Sequence, residues 1–260
     1  MISEIICIGT SYTEGGGLYD PIVKEHYKKN NIIYDKQSEV AWPHFLGKLT
    51  DTKVRNLGKC GSGMDYLIRT VETVIENEDV SDKLFILEYS TWGRTELWDS
   101  KYNQYIITNW GPKNGEDPTT DGYSVMMTTD YTYGTQLEPE DFNLWETFLD
   151  RHFNEFDHLI KMDKSFINLL YKLSYKNIKF KIIYLETPFY LDLLNDEIIN
   201  TNSILMCGDD DCTRFGISNL VSEKEMRISN LNTESEDSHP SIEGHKEIAK
   251  EIYNTLKNQL

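Results

Sequence analysis

A serine near the start of the chain has the surroundings of a catalytic nucleophile. Ser11 follows a short apolar run and lies between glycines, in the segment 9–15 (GTSYTEG). A serine just past a strand of an open α/β sheet stands where ligands approach. Two alternatives fit the segment: a turn in which serine caps a helix, and a glycine-rich phosphate cradle, although no GxGxxG or GKS/T pattern is present. The triple glycine 15–17 indicates a mobile loop beside Ser11.

A histidine near the other end of the sequence is the candidate base. His239 lies in the segment 236–241 (EDSHPS), immediately before the last helix-periodic stretch. A general base needs a fixed tautomer, and a carboxylate two or three residues earlier reaches the ring Nδ1. Asp237 and Glu236 are the two candidates for that acid. The alternative is a surface histidine, since an acid close to a histidine near a helix start is a common pattern.

A glycine-rich turn supplies a third candidate element. The segment 58–63 (GKCGSG) precedes a predicted helix. Backbone N–H groups at such a helix start carry the positive end of the helix dipole. The oxyanion formed during acyl transfer needs donors of this kind, which makes Gly61 a candidate.

Apolar runs that alternate with helix-periodic stretches must position these residues. Strands are predicted at 4–9, 53–57, 83–89 and 178–186. Helices are predicted at about 38–49 (broken near Pro43), at about 64–77, within 142–175 and at about 241–256. This alternation is typical of βαβ crossovers, and it predicts a parallel sheet covered by helices on both faces.

One long stretch departs from this alternation. Residues at about 97–140 are rich in Tyr, Thr, Asp, Asn and Gly and have no clear period. We therefore predict a single domain over residues 1–260 with an irregular insertion there. Such a loop is usually functional, and its aromatic side chains are suited either to stacking on sugar rings or to protein contact and self-association. A second irregular stretch is predicted at 195–236.

The charge of the chain excludes several classes of partner. It has 26 basic and 43 acidic residues, for a formal net charge of −17. A surface this acidic repels phosphate backbones and anionic membranes, so we expect neither as a partner. No run of about 20 apolar residues and no signal-peptide pattern is present, which predicts a chain that is cytoplasmic at synthesis. Its final location stays open.

The cysteines indicate no metal site. Cys7 and Cys60 are expected to be buried thiols, while Cys207 and Cys212 bracket the sequence GDDD and could close a small disulfide loop. That stretch has neither the four ligands of a zinc site nor the spacing of a calcium loop. We expect no metal and no cofactor.

Together the three segments resemble the SGNH (GDSL-type) hydrolase superfamily over nearly the whole chain. Residues 9–11 (Gly-Thr-Ser) stand where that family has Gly-Asp-Ser after its first strand. Residues 56–61 match its Asn-x-x-x-x-Gly block, and 239–240 match its closing His-Pro. The order and spacing of the three blocks agree with the family.

The resemblance implies a fold and a mechanism. The fold would be a three-layer α/β/α sandwich, flavodoxin-like, with about five parallel strands. Ser11 would attack an acyl carbon, and His239 would take its proton and pass it to the leaving alcohol. The N–H groups of Ser11 and Gly61 would hold the oxyanion.

The chain departs from the family at the third block. The family has Gly-x-Asn-Asp there, whereas residues 88–96 read EYSTWGRTE and contain no asparagine. Ser90, Thr91 and Arg94 are candidates to supply the missing oxyanion donor, whose loss costs about 10²–10³ in rate. We assign Arg94 and Trp92 to substrate binding. A structural ion pair between Arg94 and the nearby Glu96 is the alternative.

The acid is a second departure. The family places it three residues before the histidine, which is Glu236 here, whereas Asp237 stands two before. We favour Asp237.

These inferences predict a serine esterase acting on O-acyl groups, with O-acetyl groups on carbohydrate as the narrower hypothesis. The alternative is a structural or binding protein that keeps the fold without the chemistry. An acidic chain without a signal would suit a component of a phage or virus particle.

Overall fold

The computed structural model describes nine ranges of the chain. They are 2–90, 94–99, 104–112, 123–128, 155–185, 196–206, 216–231, 233–235 and 237–258. Only the backbone is described for 94–99, 104–112, 123–128, 155–157 and 159. No helix within these ranges is long and apolar enough to cross a membrane.

Strands and helices alternate along the chain. The described strands are β1 (Glu4–Gly9), β2 (Lys53–Gly58), β3 (Lys83–Tyr89), β4 (Arg94–Asp99), β5 (Gln104–Pro112), β6 (Tyr123–Thr128), β7 (Lys179–Tyr184) and β8 (Ser203–Ile204). The described α-helices are α1 (Ser11–Glu14), α2 (Pro21–Lys29), α3 (Trp42–Thr50), α4 (Met64–Asn77), α5 (Glu155–Tyr175), α6 (Glu197–Asn202), α7 (Ile217–Glu223) and α8 (Ile242–Leu256). Short 3₁₀ helices cover Gln37–Glu39 and Ile228–Asn230.

The central sheet has five strands in the order β2-β1-β3-β7-β8. Every neighbouring pair is parallel. In register, Gly9 at the end of β1 pairs with Gly58 at the end of β2, and Tyr89 at the end of β3 pairs with Tyr184. The carboxyl ends of these strands therefore share one edge of the sheet, where ligands bind in open α/β folds.

Alternate residues of β1 pack into two separate hydrophobic cores, one on each face of the sheet. Ile6 and Ile8 pack with α4 and α5 on one face, whereas Ile5 and Cys7 pack with α3, α7 and α8 on the other. Burial on both faces explains why the central strands read as continuous apolar runs. The predicted three-layer α/β/α architecture with five parallel strands is confirmed.

Several helices differ from the sequence expectation. The stretch expected to be irregular at 195–236 contains α6, β8 and α7 among its described residues, which corrects that expectation. The helix expected to break near Pro43 instead begins there, because proline sits in the first turn of α3, where a missing N–H costs nothing. Helix α2 was not predicted. Its signals are nevertheless local: the Asp20 side chain accepts from the Ile22 N–H at 2.7 Å, and Pro21 is the first helical residue.

The stretch expected to be irregular at about 97–140 contains regular structure. Strands β4, β5 and β6 form an antiparallel sheet in that order. The expectation is corrected for these strands, whose sequences lack the clean alternation of apolar and polar residues that signals a half-buried strand. Residues 129–154 lie outside the described ranges, and the single-domain assignment stays a prediction.

The cysteines follow the expectation in one case. Cys7 is fully buried in β1, whereas Cys60 is exposed in the turn after β2, which corrects the expectation of a buried thiol there. Cys207 and Cys212 lie outside the described residues.

Candidate active site

Ser11 stands on a tight turn between a buried strand and a short helix. Strand β1 ends at Gly9, and Thr10 caps α1 with its side chain, which accepts from the Tyr12 N–H at 3.4 Å. Ser11 is the first residue of α1, and Gly15 ends that helix with φ of 99°. The chain thus turns sharply at the carboxyl edge of the sheet, and this turn fixes the direction of the Ser11 side chain.

His239 lies on a loop that backbone hydrogen bonds hold in place. The Ile228 N–H donates to the His239 carbonyl, and the Ser229 N–H donates to the Asp237 carbonyl, both at 2.9 Å. Helix α8 follows, capped by Ser241, whose hydroxyl accepts from the Gly244 N–H at 3.2 Å. The loop is therefore held at both ends, and the histidine ring has a defined position.

The structure brings Ser11, His239 and Asp237 into one hydrogen-bonded chain. His239 Nε2 lies 2.7 Å from Ser11 Oγ, and His239 Nδ1 lies 2.6 Å from Asp237 Oδ1. The backbone N–H of His239 also donates to Asp237 Oδ1, at 2.8 Å. When Nδ1–H donates to the carboxylate, Nε2 is left to accept the serine proton, which is the tautomer that a general base needs. Glu236 lies outside the described residues.

The ionisation of Asp237 favours the same tautomer. Burial alone would raise the pKa of Asp237, but the hydrogen bonds from the ring and backbone of His239 outweigh it and hold the pKa below its ordinary value. The carboxylate is therefore ionised at neutral pH and can accept the Nδ1–H of His239. The His239 and Asp237 side chains are about one quarter exposed, at 25% and 27%, so a small molecule can reach them.

Two glycines of the run 15–17 pack directly on these three side chains. A methyl group at Gly16 would lie 2.7 Å from Ser11 Cβ and 3.0 Å from His239 Nε2. One at Gly17 would lie 2.5 Å from Asp237 Oδ2. All three glycines are buried against neighbouring residues, which corrects the expectation of a mobile loop beside Ser11. The run of glycines was visible in the sequence, but only the fold shows what it approaches.

Gly61 lies in a turn that is tied to the end of β1. The Lys59 N–H donates to the Gly9 carbonyl at 3.0 Å, and the Ser62 hydroxyl donates to the same carbonyl at 3.1 Å. Gly61 itself has φ of 77°, a backbone conformation that favours glycine. The turn after β2 is thereby fixed beside the turn that carries Ser11.

The end of β3 is described only in part. Ser90 is buried, and its N–H donates to Met64 Sδ at 3.3 Å. Thr91 and Trp92 lie outside the described residues. Arg94 begins β4, where its backbone pairs with Asn109, and its side chain is not described. The binding and oxyanion roles assigned to Thr91, Trp92 and Arg94 therefore stay predictions.

Glu88 is a buried carboxylate at this edge that sequence reasoning missed. Its side chain accepts hydrogen bonds from the hydroxyls of Thr10 and Thr13, which flank Ser11. The Thr10 N–H also donates to Glu88 Oε1, at 3.3 Å. The nearest sequence signal was a glutamate at the end of an apolar strand, which alone does not identify its partners.

A second histidine near the site has a structural contact. His245 is fully buried, and its Nδ1 accepts from the Trp42 N–H at 3.2 Å, which joins α8 to α3. Burial, with a smaller contribution from His239, lowers the pKa of His245 to about 3. His245 is therefore neutral at physiological pH.

The comparisons with known proteins concern the fold. No protein-family model matches this chain, and no curated protein matches it. A G-D-S-L family protein from Desulfitobacterium hafniense DCB-2 is 12% identical, with a TM-score of 0.45 and coverage of 98% of this chain and 99% of that one. An acetyl xylan esterase from the rumen bacterium Butyrivibrio proteoclasticus is 14% identical, with a TM-score of 0.46 over all of this chain and 64% of that one. An acetylxylan esterase from Geobacillus stearothermophilus, solved as a catalytic mutant, is 12% identical, with a TM-score of 0.42 and coverage of 97% and 93%.

The chain's own topology carries the assignment of its fold. Numbered along the chain within the sheet, its five parallel strands have the flavodoxin-like order 2-1-3-4-5, with Ser11 after the first strand and His239 before the last described helix, which is the fold that the sequence resemblance implied.

Proposed function

We propose that this chain is a serine hydrolase of O-acyl esters. The observation that carries the proposal is the continuous chain of hydrogen bonds from Ser11 Oγ through the His239 ring to Asp237, with lengths of 2.7 and 2.6 Å. A nucleophile, a base and a group that orients the base are the three parts that acyl transfer through serine requires.

The proposed reaction follows from these contacts. His239 Nε2 takes the Ser11 proton as Oγ attacks the acyl carbon, and the resulting imidazolium is stabilised by Asp237. The imidazolium then protonates the leaving alcohol, which leaves an acyl group on Ser11. Water, activated in turn by His239, hydrolyses that acyl-enzyme and restores the starting state.

The oxyanion would be held by backbone N–H groups of Ser11 and Gly61. Both residues lie in turns that are fixed to the end of β1, so the donors need not reorganise during the reaction. The chain has no asparagine in residues 88–96, and Ser90, Thr91 and Arg94 remain the candidates for a further donor. One missing donor predicts a slow enzyme rather than an inert one, by about 10²–10³-fold.

The narrower proposal is that the acyl group is acetyl and that the alcohol belongs to a carbohydrate. Tyr19 lies two residues after Gly17 and is 56% exposed. Partial burial raises the pKa of Tyr19, and the charge on Asp237 adds to the shift, which is consistent with a ring beside the site. An exposed aromatic face in such a position suits stacking against a sugar ring.

Hydrolysis of p-nitrophenyl acetate tests the general proposal. Activity should be present in the wild type, absent in Ser11→Ala and unchanged in the matched control Ser81→Ala, an exposed serine in the turn before β3. A fluorophosphonate should label Ser11 in the wild type and in the control. Wild-type protein as inert as Ser11→Ala towards several acyl esters and the fluorophosphonate would refute the proposal.

The alternative is an SGNH-like binding protein without chemistry, such as a component of a virus particle. The absence of asparagine from residues 88–96 favours it. The two functions separate on one observation, because a binding protein would show no fluorophosphonate adduct on Ser11, whereas an enzyme with a weak oxyanion hole would still form one slowly.

A further inference from the structure

The turn that carries Ser11 is held from β3 by a carboxylate. Glu88 has no exposed surface, and its two oxygens accept from Thr10 Oγ1 and Thr13 Oγ1. The Thr10 N–H adds a third hydrogen bond to Glu88 Oε1, at 3.3 Å. Thr10 stands immediately before Ser11, and Thr13 stands two residues after it. Glu88 therefore binds this turn on both sides of Ser11.

The approach of Glu88 to this turn depends on Gly9. A methyl group at Gly9 would lie 2.5 Å from Glu88 Oε2 and would also clash with the Thr13 hydroxyl. Because Gly9 has no side chain, β1 leaves room for the Glu88 carboxylate to reach Thr10 and Thr13. A buried carboxylate is costly unless hydrogen bonds satisfy it, so these three donors are favourable only in the observed arrangement of the turn.

The opposite side of the turn is held from β2. The Asn56 side-chain amide donates to the Thr13 carbonyl at 2.8 Å, and the Asn56 carbonyl oxygen accepts from the Gly58 N–H at 2.9 Å. Thr13 is therefore bound through its hydroxyl by β3 and through its backbone by β2. The turn spans the two strands on either side of β1 and can move only if one of these attachments is broken.

We propose that Glu88 is a positioning residue that keeps Ser11 Oγ in hydrogen-bond contact with His239 Nε2. It acts through Thr10 and Thr13 and touches neither the substrate nor the reacting atoms. Its effect on turnover rests on the proposed hydrolase function, whereas its effect on the turn does not. The hydrogen bonds to Glu88 on β3 and from Asn56 on β2 together fix the position of Ser11 Oγ.

Two variants weaken the hold of Glu88 on the turn with little change in side-chain volume. Glu88→Gln removes the charge and replaces one acceptor with a donor, so one of the Thr10 and Thr13 hydroxyls must turn to accept instead of donate. Thr13→Val removes one donor and leaves Glu88 in place, and it provides a test if Glu88→Gln does not fold. The matched control is Glu4→Gln, a buried carboxylate in ion pairs with Lys53 and Arg55 at the opposite end of β1.

Two measurements separate the positioning role from a purely structural one. Amide hydrogen exchange of residues 10–16 should accelerate in Glu88→Gln and Thr13→Val and stay at the wild-type rate in Glu4→Gln. With p-nitrophenyl acetate, kcat should fall about a hundredfold in Glu88→Gln and about tenfold in Thr13→Val, with KM little changed, because small misplacements of a nucleophile cost about this much.

Each outcome bears on the proposal. Unchanged exchange in both variants, or faster exchange with an unchanged kcat, would overturn it. Faster local exchange in a protein whose wild type neither hydrolyses esters nor reacts with the fluorophosphonate would support the hold of Glu88 on the turn while refuting the proposed function.

Discussion

Asp237 receives two hydrogen bonds from His239, one from the ring and one from the backbone. The ring bond selects the tautomer, and the backbone bond fixes the carboxylate where the ring can reach it. The two contacts have different consequences when the side chain is changed. An amide at this position can still accept, yet it also brings donors that compete for the ring nitrogen.

The first prediction concerns this acid. Asp237→Asn should lower kcat about 10³–10⁴-fold, because the wrong tautomer of His239 would face Ser11. Ester hydrolysis at neutral pH measures the effect, with Glu234→Gln as an exposed control on the same loop. If Glu236→Gln lost as much activity as Asp237→Asn, the acid three residues before the histidine would have a share in orienting the ring.

The second prediction concerns the contact of Gly16 with Ser11 and His239. Gly16→Ala should lower kcat about a hundredfold, because its methyl group must displace the serine or the imidazole. The control is Gly47→Ala in α3, where the nearest atom lies 3.0 Å away on the side chain of Val54. Retention of wild-type kcat by Gly16→Ala would show that the glycine segment yields more readily than its burial indicates.

At the scale of elements, strands β1, β2 and β3 bring their carboxyl ends to one edge, and the turns after β1 and β2 carry Ser11 and Gly61. His239, the partner of Ser11, lies just before α8, and α8 packs on α3. The hydrogen bond from the Trp42 N–H to His245 Nδ1 joins these two helices at the buried start of both. A titratable group in such a contact makes helix docking depend on pH.

The third prediction follows from His245. Its pKa is about 3 in the folded protein and 6.5 ordinarily, so between these values the unfolded chain binds a proton that the folded protein does not. The free energy of unfolding should therefore fall as the pH decreases through this window, by up to about 1.4 kcal/mol per pH unit. Denaturant titrations at several pH values should show that the free energy of unfolding depends less steeply on pH in His245→Asn than in the wild type.

The control for this effect is Ser81→Ala, an exposed non-titrating position before β3, which should keep the wild-type slope. If His245→Asn showed the same pH dependence as the wild type, other groups would account for the acid sensitivity of the fold.

The sequence predicted the elements whose signals are local. The sequence located β1, β2, β3 and β7 to within a few residues. β1 and β3 are buried over nearly their whole length and therefore read as apolar runs, whereas β2 is an edge strand of mixed residues. Strands β4, β5 and β6 were missed because their alternation of apolar and polar residues is weak, although each pairs with a strand next to it along the chain. For the site, residue order pointed to Ser11 and His239, whereas Glu88 and Gly16 act through contacts that only the folded chain creates.

At the scale of the whole molecule, the net charge of −17 predicts a negative field over the surface. Such a field repels anionic substrates and leaves neutral ones unaffected, and salt weakens it over about 10 Å at 0.1 M. Charge should therefore act on the encounter with substrate more than on the chemical step.

The fourth prediction tests this field. Raising the salt concentration from about 0.01 to 0.2 M should increase kcat/KM several-fold for a p-nitrophenyl ester with a carboxylate on its acyl group, because the repulsion is screened. The neutral acetyl ester is the internal control and should show little change. An equal response of both esters would point to an effect of salt on the enzyme rather than on the encounter.

The hydrogen bond between Ser11 and His239 joins residues 228 positions apart. During synthesis Ser11 is made 228 residues before His239, the base in the proposed mechanism. Until His239 has been translated and the two residues have met, Ser11 would have the reactivity of an ordinary serine. Reaction of Ser11 with a fluorophosphonate would consequently report the folding step that brings Ser11 and His239 together.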